Sequence, residues 1–267
     1  MTLSITLLNG RPADAEDLAP LAFAGYAHFT AMQIRDRRVR GLDLHLARLR
    51  DASDELFGHH LPDEAIIQQM HTALAKAPPD VSLTCYITSR PGQLAHANGT
   101  VDLDVLIKVI DPAKPPTGPL TLDPVEHERH LPHVKHVDEV SKTLLLKRAN
   151  ARGFDDAVFT DRSGRLSEAT IWNLALWDGR SVIWPQAEIL PGVTMQILAR
   201  RLRALGISQQ TQKVHRSELG EHLAAALMNS WTPGITIAQI GDQALAQEPE
   251  FVRILHAAYA GEPLVAV

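Results

Sequence analysis

A proline-dense segment near the middle of the chain constrains the fold more than any other feature. Residues 111–119 read DPAKPPTGP, with four prolines in nine positions. Proline fixes φ and lacks a backbone N–H, so the segment cannot form a helix, and it favours a stiff, extended connector. We therefore predict two domains, residues 1–111 and 120–267, joined by a linker at 112–119.

Composition narrows the class of protein. The 267 residues are enough to bury a sizeable core. The net charge of −5 argues against non-specific binding of nucleic acid, and the single cysteine, Cys85, excludes an intramolecular disulfide and fits a reducing compartment. No apolar run approaches the roughly 20 residues of a membrane span, and the first residues do not resemble a signal peptide. We expect a soluble cytoplasmic protein with neither nucleic acid nor membrane as a partner.

Hydrophobic periodicity predicts a mixture of helices and strands in both halves. Before the linker we expect a first strand that ends in an Asn-Gly turn, and two helices, the first of which Asp43 caps. Helices and strands together place the chain in the α/β (α+β) class. The predicted helices cover residues 44–57, 62–77, 139–152, 194–205 and 249–259, and the predicted strands cover residues 4–10, 28–34, 81–88, 101–110, 157–160, 165–168, 171–177, 181–184, 224–230 and 235–240.

The segment LPGVT, residues 190–194, opens a predicted helix. Free N–H groups at a helix N-terminus suit a phosphate, and the Thr194 hydroxyl would add a donor. Simple capping of the helix is the alternative, and the motif alone favours it.

Two charged residues lie in apolar surroundings. Glu168 interrupts the run LSEATIW, so it either pairs with a cation inside the protein or faces solvent from a strand. Lys135 lies in LPHVKHV, where burial would lower the cost of losing its charge and would allow a Schiff base, although most lysines are simply solvated.

A metal site and a hydrolase triad are both weakly supported. Histidines recur every third residue from His127 to His136, but Pro132 breaks any helix there, and in a strand they would alternate between faces. We therefore predict no metal site. His215, Ser217 and Asp242 lack the Gly-x-Ser-x-Gly turn that hydrolases use.

The order and spacing of seven segments carry more information than any single one. The sequence resembles the fold-type IV pyridoxal-phosphate enzymes, the class IV aminotransferases, from residue 8 to residue 240. The Lys135–Glu168 spacing of 33 residues is also similar to that family's spacing between its Schiff-base lysine and its pyridine-nitrogen carboxylate. The matching segments are FTAMQI (29–34), HLAR and the following leucine (45–49), VKHV (134–137), GFDDAVF (153–159), GRLSE (164–168) with Asn173, LPGVT (190–194) and MNS (228–230).

The resemblance implies a D-amino-acid-aminotransferase-like fold of two domains, with pyridoxal 5′-phosphate in the cleft between them. It makes Lys135 the catalytic residue, which forms the aldimine and carries the proton, and it pairs Glu168 with the pyridine nitrogen. Lys142 is the rival lysine, but it lies in a predicted helix 26 residues from Glu168, so we favour Lys135. Cofactor-binding residues by the same resemblance are Arg48, Lys135, Glu168, Asn173, Val193, Thr194, Ser230 and Trp231.

The substrate pocket is where the sequence departs from the family. Enzymes specific for D-amino acids carry an Arg-x-His motif whose arginine binds the substrate carboxylate. Here Leu94 stands in place of that arginine, and His96 matches the histidine. Phe29 stands where those enzymes place a tyrosine. The predicted pocket residues are Phe29, His96, Trp172 and Thr232; Trp172 and Trp231 either narrow the pocket or pack behind the cofactor.

The resemblance implies transfer of an amino group between an amino acid or amine and a keto acid, in a homodimer. Aminodeoxychorismate lyase, which makes 4-aminobenzoate for folate synthesis, is the alternative, since MNSWTP (228–233) and Phe29 with Thr30 are closer to it than to branched-chain enzymes. The third hypothesis is a protein that binds pyridoxal phosphate but has no catalytic activity.

Overall fold

The computed structural model describes residues 2–90 and 101–267. They divide into two compact units. Unit 1 consists of the described residues of Met1–Lys114 with Val134–Asp138 and Leu264–Val267, and unit 2 consists of Pro115–His133 and Glu139–Pro263. The division into residues 1–111, 112–119 and 120–267 stays a prediction. In the described ranges no helix is both long enough and apolar enough to cross a membrane.

Unit 1 is built on an antiparallel sheet of five strands in the order β2-β1-β6-β5-β3. The Asn-Gly turn joins β1 to β2, as predicted, with Asn9 and Gly10 both at positive φ. A short pair, β4 with β16, lies outside this sheet. The strands are β1 (Ser4–Leu8), β2 (Arg11–Pro12), β3 (Ala27–Ile34), β4 (Arg38–Arg40), β5 (Val81–Ser89), β6 (Leu103–Ile110) and β16 (Leu264–Ala266).

Two helices, α1 (Leu42–Phe57) and α2 (Asp63–Leu74), contribute to the core of unit 1 with the apolar face of the sheet. Both were predicted, but Asp43 is not the cap of α1. The helix begins two residues earlier than predicted, with Gly41 as N-cap at φ 67°, and the N–H of His45 closes the first turn on the Gly41 carbonyl. Asp43 lies inside the first turn instead, where a negative charge favours the helix dipole.

Two buried histidines link α1 to β3. His28 Nε2 lies 2.8 Å from the Ser53 hydroxyl, and His45 Nδ1 lies 2.6 Å from the Thr30 hydroxyl. Burial lowers the pKa of His28 to about 4. Burial and the nearby Arg48 charge lower the pKa of His45 to about 3. Both rings are therefore neutral in the folded protein at pH values where an unfolded chain would protonate them.

This difference predicts that acid destabilises the protein. Because the unfolded state binds more protons below pH 6.5, we expect the free energy of unfolding to fall by up to about 1.4 kcal/mol per pH unit for each histidine as the pH drops towards 4. Urea unfolding at a series of pH values measures the slope. His28→Gln should make this dependence on pH shallower, whereas His71→Gln, at an exposed position, should not. Equal slopes for His28→Gln and the unmodified protein would contradict the low pKa of His28.

In unit 2, the described strands form a nine-stranded mixed sheet in the order β12-β11-β10-β13-β14-β7-β8-β9, with β15 against β14. One further pair, Asn173 on β10 opposite Glu168 on β9, joins strands that lie apart in that order and closes six strands into a ring. The strands are β7 (Leu120–Glu126), β8 (Asp156–Thr160), β9 (Leu166–Ala169), β10 (Asn173–Trp177), β11 (Ser181–Pro185), β12 (Ser208–Gln212), β13 (Ala224–Asn229), β14 (Thr232–Ile240) and β15 (Gln243–Ala244).

Three helices complete unit 2. They are α3 (Val140–Ala151), α4 (Val193–Ala204) and α5 (Pro249–Ala260), and all three lie where the sequence predicts them. Helices α4 and α5 pack on the sheet through buried residues such as Leu198 and Phe251. Six of the described strands lie outside the predicted ones; they are β2, β4 and β16 of unit 1 and β7, β12 and β15 of unit 2.

Candidate functional site

Lys135 lies in an extended segment rather than in a helix. The segment Val134–Asp138 runs antiparallel to the beginning of β3: the N–H of Phe29 donates to the Lys135 carbonyl (2.8 Å), and the N–H of Val137 donates to the Ala27 carbonyl (3.0 Å). Side chains on the same face of such a pair come into contact. This pairing is what places the Lys135 side chain against Phe29.

The Lys135 amine faces an aromatic surface. Its Nζ lies 4.8 Å from the centre of the Phe29 ring, which in turn lies 5.3 Å from the ring centre of Tyr86 on β5. A cation at this distance from a ring is stabilised by the ring's electrons. Burial raises the pKa of the Tyr86 phenol above its usual value. The structure thus brings two predicted residues, Lys135 and Phe29, together and adds Tyr86, which the sequence analysis did not single out.

Arg48 lies on α1, three residues after His45 and therefore on the same side of the helix. It is half-buried, and its charge contributes to the low pKa of His45. The buried bond between His45 and Thr30 fixes the turn of α1 that carries Arg48.

Glu168 is buried, with 4% of its surface exposed. The alternative in which it faces solvent is therefore wrong. Its Oε2 accepts a hydrogen bond from the N–H of Leu190 (3.3 Å). Its Oε1 has no hydrogen-bond partner among the residues that the structure describes, and Arg129 Nε lies 3.5 Å away. Burial raises the pKa of this carboxyl above its usual value, although Lys142 and Arg129 oppose the shift.

Hydrogen bonds hold the loop before α4 next to Glu168. Asn173 donates from its side chain to the carbonyl of Leu190 (2.8 Å), the residue whose N–H Glu168 accepts. A Cβ added at Gly192 would lie 1.9 Å from the Asn173 Oδ1, so a side chain has no room there. No side chain among the described residues caps α4, and the first bond inside the helix runs from the Gln196 N–H to the Gly192 carbonyl. The N–H groups at 193–195 precede that bond, and the positive end of the helix dipole lies with them.

The turn between β13 and β14 lies against this same helix end. The Thr194 hydroxyl donates to the Asn229 carbonyl (2.8 Å), so that hydroxyl proton is already used within the protein. The Asn229 side chain accepts from the N–H of Trp231 (2.8 Å) and shapes the turn through Ser230. Hydrogen bonds thus join Glu168 and Asn173 through Leu190, and they join Thr194 to the turn that contains Ser230.

The two tryptophans near this turn differ in their surroundings. Trp172 is buried in the core of unit 2, and its indole N–H donates to Asp156 (2.9 Å). Trp231 is 41% exposed and meets Trp172 edge to face, with ring centres 5.7 Å apart. Trp172 is therefore a core residue that packs against Trp231, whereas Trp231 presents an aromatic surface at the end of the turn.

Three charged residues near Glu168 were not predicted as site residues. Arg129 contacts Glu139 (2.5 Å), and Glu139 contacts Lys142 (2.9 Å). Lys142 is buried at the start of α3, and its charge acts on Glu168. The sequence analysis weighed Lys142 only as a rival to Lys135, although its spacing of three from Glu139 on a helix predicts an ion pair.

Two predicted pocket residues remain. His96 lies outside the described residues, and Thr232 is buried with its hydroxyl against the backbone of Gly234 (3.3 and 3.4 Å). In residues 2–90 and 101–267, no three His, Cys, Asp or Glu side chains are grouped so that they could hold a metal ion.

Comparison with protein families settles the membership of this chain. The model of the amino-transferase class IV family matches residues 27–240, well over half of the sequence. The chain belongs to the class IV aminotransferase family. The matched range contains each of the motifs from FTAMQI to MNS that suggested the resemblance. No curated protein matches the sequence significantly.

Solved structures of class IV aminotransferases and a related lyase share the fold. The branched-chain amino acid aminotransferase of Escherichia coli superposes with a TM-score of 0.83 at 16% identity, over 97% of this chain and 94% of that one. The branched-chain enzyme of Thermobaculum terrenum, solved in its pyridoxal-phosphate form, gives 0.81 at 17% identity, over 96% and 92%. A Legionella pneumophila protein described as 4-amino-4-deoxychorismate lyase gives 0.80 at 17% identity, over 91% and 93%. The expected fold, that of the fold-type IV enzymes, is confirmed.

Proposed function

We propose that this class IV chain is a pyridoxal-phosphate-dependent aminotransferase that moves an amino group between an amino acid or amine and a keto acid. The observation that carries the proposal is the buried Glu168 carboxylate, whose Oε1 has no hydrogen-bond partner among the described residues. A buried acceptor of this kind costs free energy unless a donor satisfies it.

The ring of pyridoxal phosphate offers that donor. A protonated pyridine nitrogen carries one N–H and a positive charge, and both match a buried carboxylate. The raised pKa of Glu168 has the same cause, since the carboxylate is removed from water without a full set of partners. The residues of unit 2 therefore fit the cofactor.

The phosphate of the cofactor has matching donors. At the start of α4, the N–H groups of Val193 and Thr194 lie next to a glycine that can carry no side chain, which leaves the helix end open to an anion. We assign the turn at Ser230 and Trp231, which the Thr194 hydroxyl fastens to that end, to the same phosphate. Arg48 would supply the guanidinium that neutralises its charge.

Lys135 would perform the two roles that the reaction requires of an amine, which are to hold the cofactor and to move a proton. Pyridoxal phosphate, when bound, supplies an electron sink for the pair of electrons left when a substrate Cα–H bond breaks. Lys135 Nζ would hold the cofactor covalently and, once displaced, would take the proton from the substrate Cα and deliver it to the C4′ carbon of the cofactor. The half-buried Phe29 and Tyr86 rings beside it limit access of water to that nitrogen.

The absorbance spectrum of the protein with added pyridoxal phosphate tests the proposal. We expect a visible band that bleaches when the right amino acid or amine is added and returns when a keto acid follows. A folded protein that shows no band would overturn the proposal.

The same experiment distinguishes the lyase. A band that no donor bleaches, together with pyruvate released from aminodeoxychorismate, would replace the aminotransferase with the lyase. A band with neither reaction would leave a cofactor-binding protein without activity. The family resemblance also leads us to propose a homodimer, which light scattering tests.

A further inference from the structure

Four charged side chains of unit 2 form a network in which three are buried and Glu139, with 23% of its side chain exposed, is half-buried. Glu139 is also the one that has no role in the proposed function. Glu139 lies at the centre: its Oε1 is 2.5 Å from Arg129 Nη2 and its Oε2 is 2.9 Å from Lys142 Nζ. Glu168 lies at the edge, 3.5 Å from Arg129 Nε. The network therefore contains two cations and two anions.

Burial makes the balance of charge important. The side chains of Arg129 and Glu168 are 3% and 5% exposed, and that of Lys142 is 10% exposed. At such positions an unbalanced charge is costly, because water can screen it only weakly. A cationic ring nitrogen at Glu168 would add a third positive charge to this group.

Two of the three nitrogens of Arg129 are directed to groups other than Glu168. Its Nη1 donates to the Pro132 carbonyl (2.7 Å) and its Nη2 donates to Glu139. The Nε, at 3.5 Å from Glu168, is too distant for a strong hydrogen bond. Lys142 likewise points to Glu139, although its charge acts on Glu168. Glu139 thus accepts the bonds of Arg129 Nη2 and Lys142 Nζ.

The two carboxylates respond differently to the same cations. Burial raises the pKa of Glu139, but Lys142 and Arg129 together bring it below its usual value. For Glu168, burial outweighs the same two cations, and the pKa stays above its usual value. This difference agrees with the geometry, since each Glu139 oxygen has a cationic partner whereas Glu168 Oε1 accepts no hydrogen bond from the described residues.

We propose that Glu139 is a positioning residue, which holds Arg129 and Lys142 and thereby keeps Glu168 Oε1 open for the protonated ring nitrogen of the cofactor. The inference rests on the proposed function, because it requires Glu168 to meet that nitrogen. Without the charge of Glu139, Arg129 and Lys142 would turn to Glu168 and compete with the ring for the same oxygen.

The test measures binding of two probes that need no covalent link to Lys135. One is pyridoxamine phosphate, and the other is its 1-deaza analogue, in which a CH group replaces the ring nitrogen. In the Glu139→Gln variant we expect affinity for pyridoxamine phosphate to fall about tenfold or more, with little change for the deaza analogue. Equal losses for both probes would mean that Glu139 is merely structural, and no loss for either would mean that it has no role.

A second variant tests the same inference by removing one of the two cations. Lys142→Gln removes one positive charge, and Glu139 then pairs with Arg129 alone. The variant should therefore prefer pyridoxamine phosphate over the deaza analogue as strongly as the unmodified protein does, or more strongly. A weaker preference would overturn the inference, even if Glu139→Gln does not fold. Glu250→Gln, at an exposed ion pair on α5, is the matched control. If the unmodified protein shows no preference for the ring nitrogen, the role of Glu168 itself fails. If it shows one that Glu139→Gln keeps, only the role of Glu139 fails.

Discussion

Lys135→Ala should reduce amino-group transfer by at least about a thousandfold. The substitution removes the amine that would hold the cofactor and the base that would move the Cα proton, and proton transfer by a positioned group alone contributes about 10²–10⁴ in rate. The backbone pairing of Lys135 with β3 uses its carbonyl rather than its side chain. The variant should therefore keep its fold, which circular dichroism checks, while the rate of amino-group transfer to a keto acid is measured.

Lys147→Ala is the matched control, because this lysine is exposed on α3. It should transfer amino groups at the rate of the unmodified protein. Turnover that persists in Lys135→Ala, with the fold intact, removes Lys135 from the catalytic role.

Glu168→Gln should lower turnover by roughly a hundredfold. Glutamine keeps the shape of the side chain but loses the charge that would keep the ring nitrogen protonated, and a hydrogen bond to a charged group contributes up to about 3 kcal/mol. Steady-state rates at saturating cofactor measure the loss. Glu168→Asp keeps the charge and should lose less activity than Glu168→Gln.

Glu188→Gln, an exposed substitution of the same kind in the loop before α4, should have no effect on turnover. If Glu168→Gln retains full activity, or loses less than Glu168→Asp, the carboxylate does not act through its charge.

Two of the strands that were not predicted, β7 and β12, each carry a misleading local signal. Strand β7 contains Pro124, and proline argues against the interior of a sheet, yet β7 pairs in parallel with both β8 and β14. Strand β12 reads SQQTQ and is largely exposed, so it has no apolar alternation. It lies parallel to β11, and only this tertiary pairing makes it a strand.

The site residues likewise divide into those that the local sequence predicts and those that depend on tertiary contacts. The HLAR, GRLSE and LPGVT motifs can be found from the sequence, because each depends on a local turn or helix end whose residues are contiguous. Arg129 cannot, because its contact with Glu168 depends on the path of the loop that contains Pro132. The burial of Glu168, which decides its chemistry, likewise depends on the closure of the strand ring at Asn173.

The most direct test of the account is to identify the lysine that carries the cofactor. Protein loaded with pyridoxal phosphate is reduced with borohydride and digested, and the labelled peptide is sequenced by mass spectrometry. The account predicts a phosphopyridoxyl group on Lys135. A label on Lys142, or on neither lysine, would contradict it.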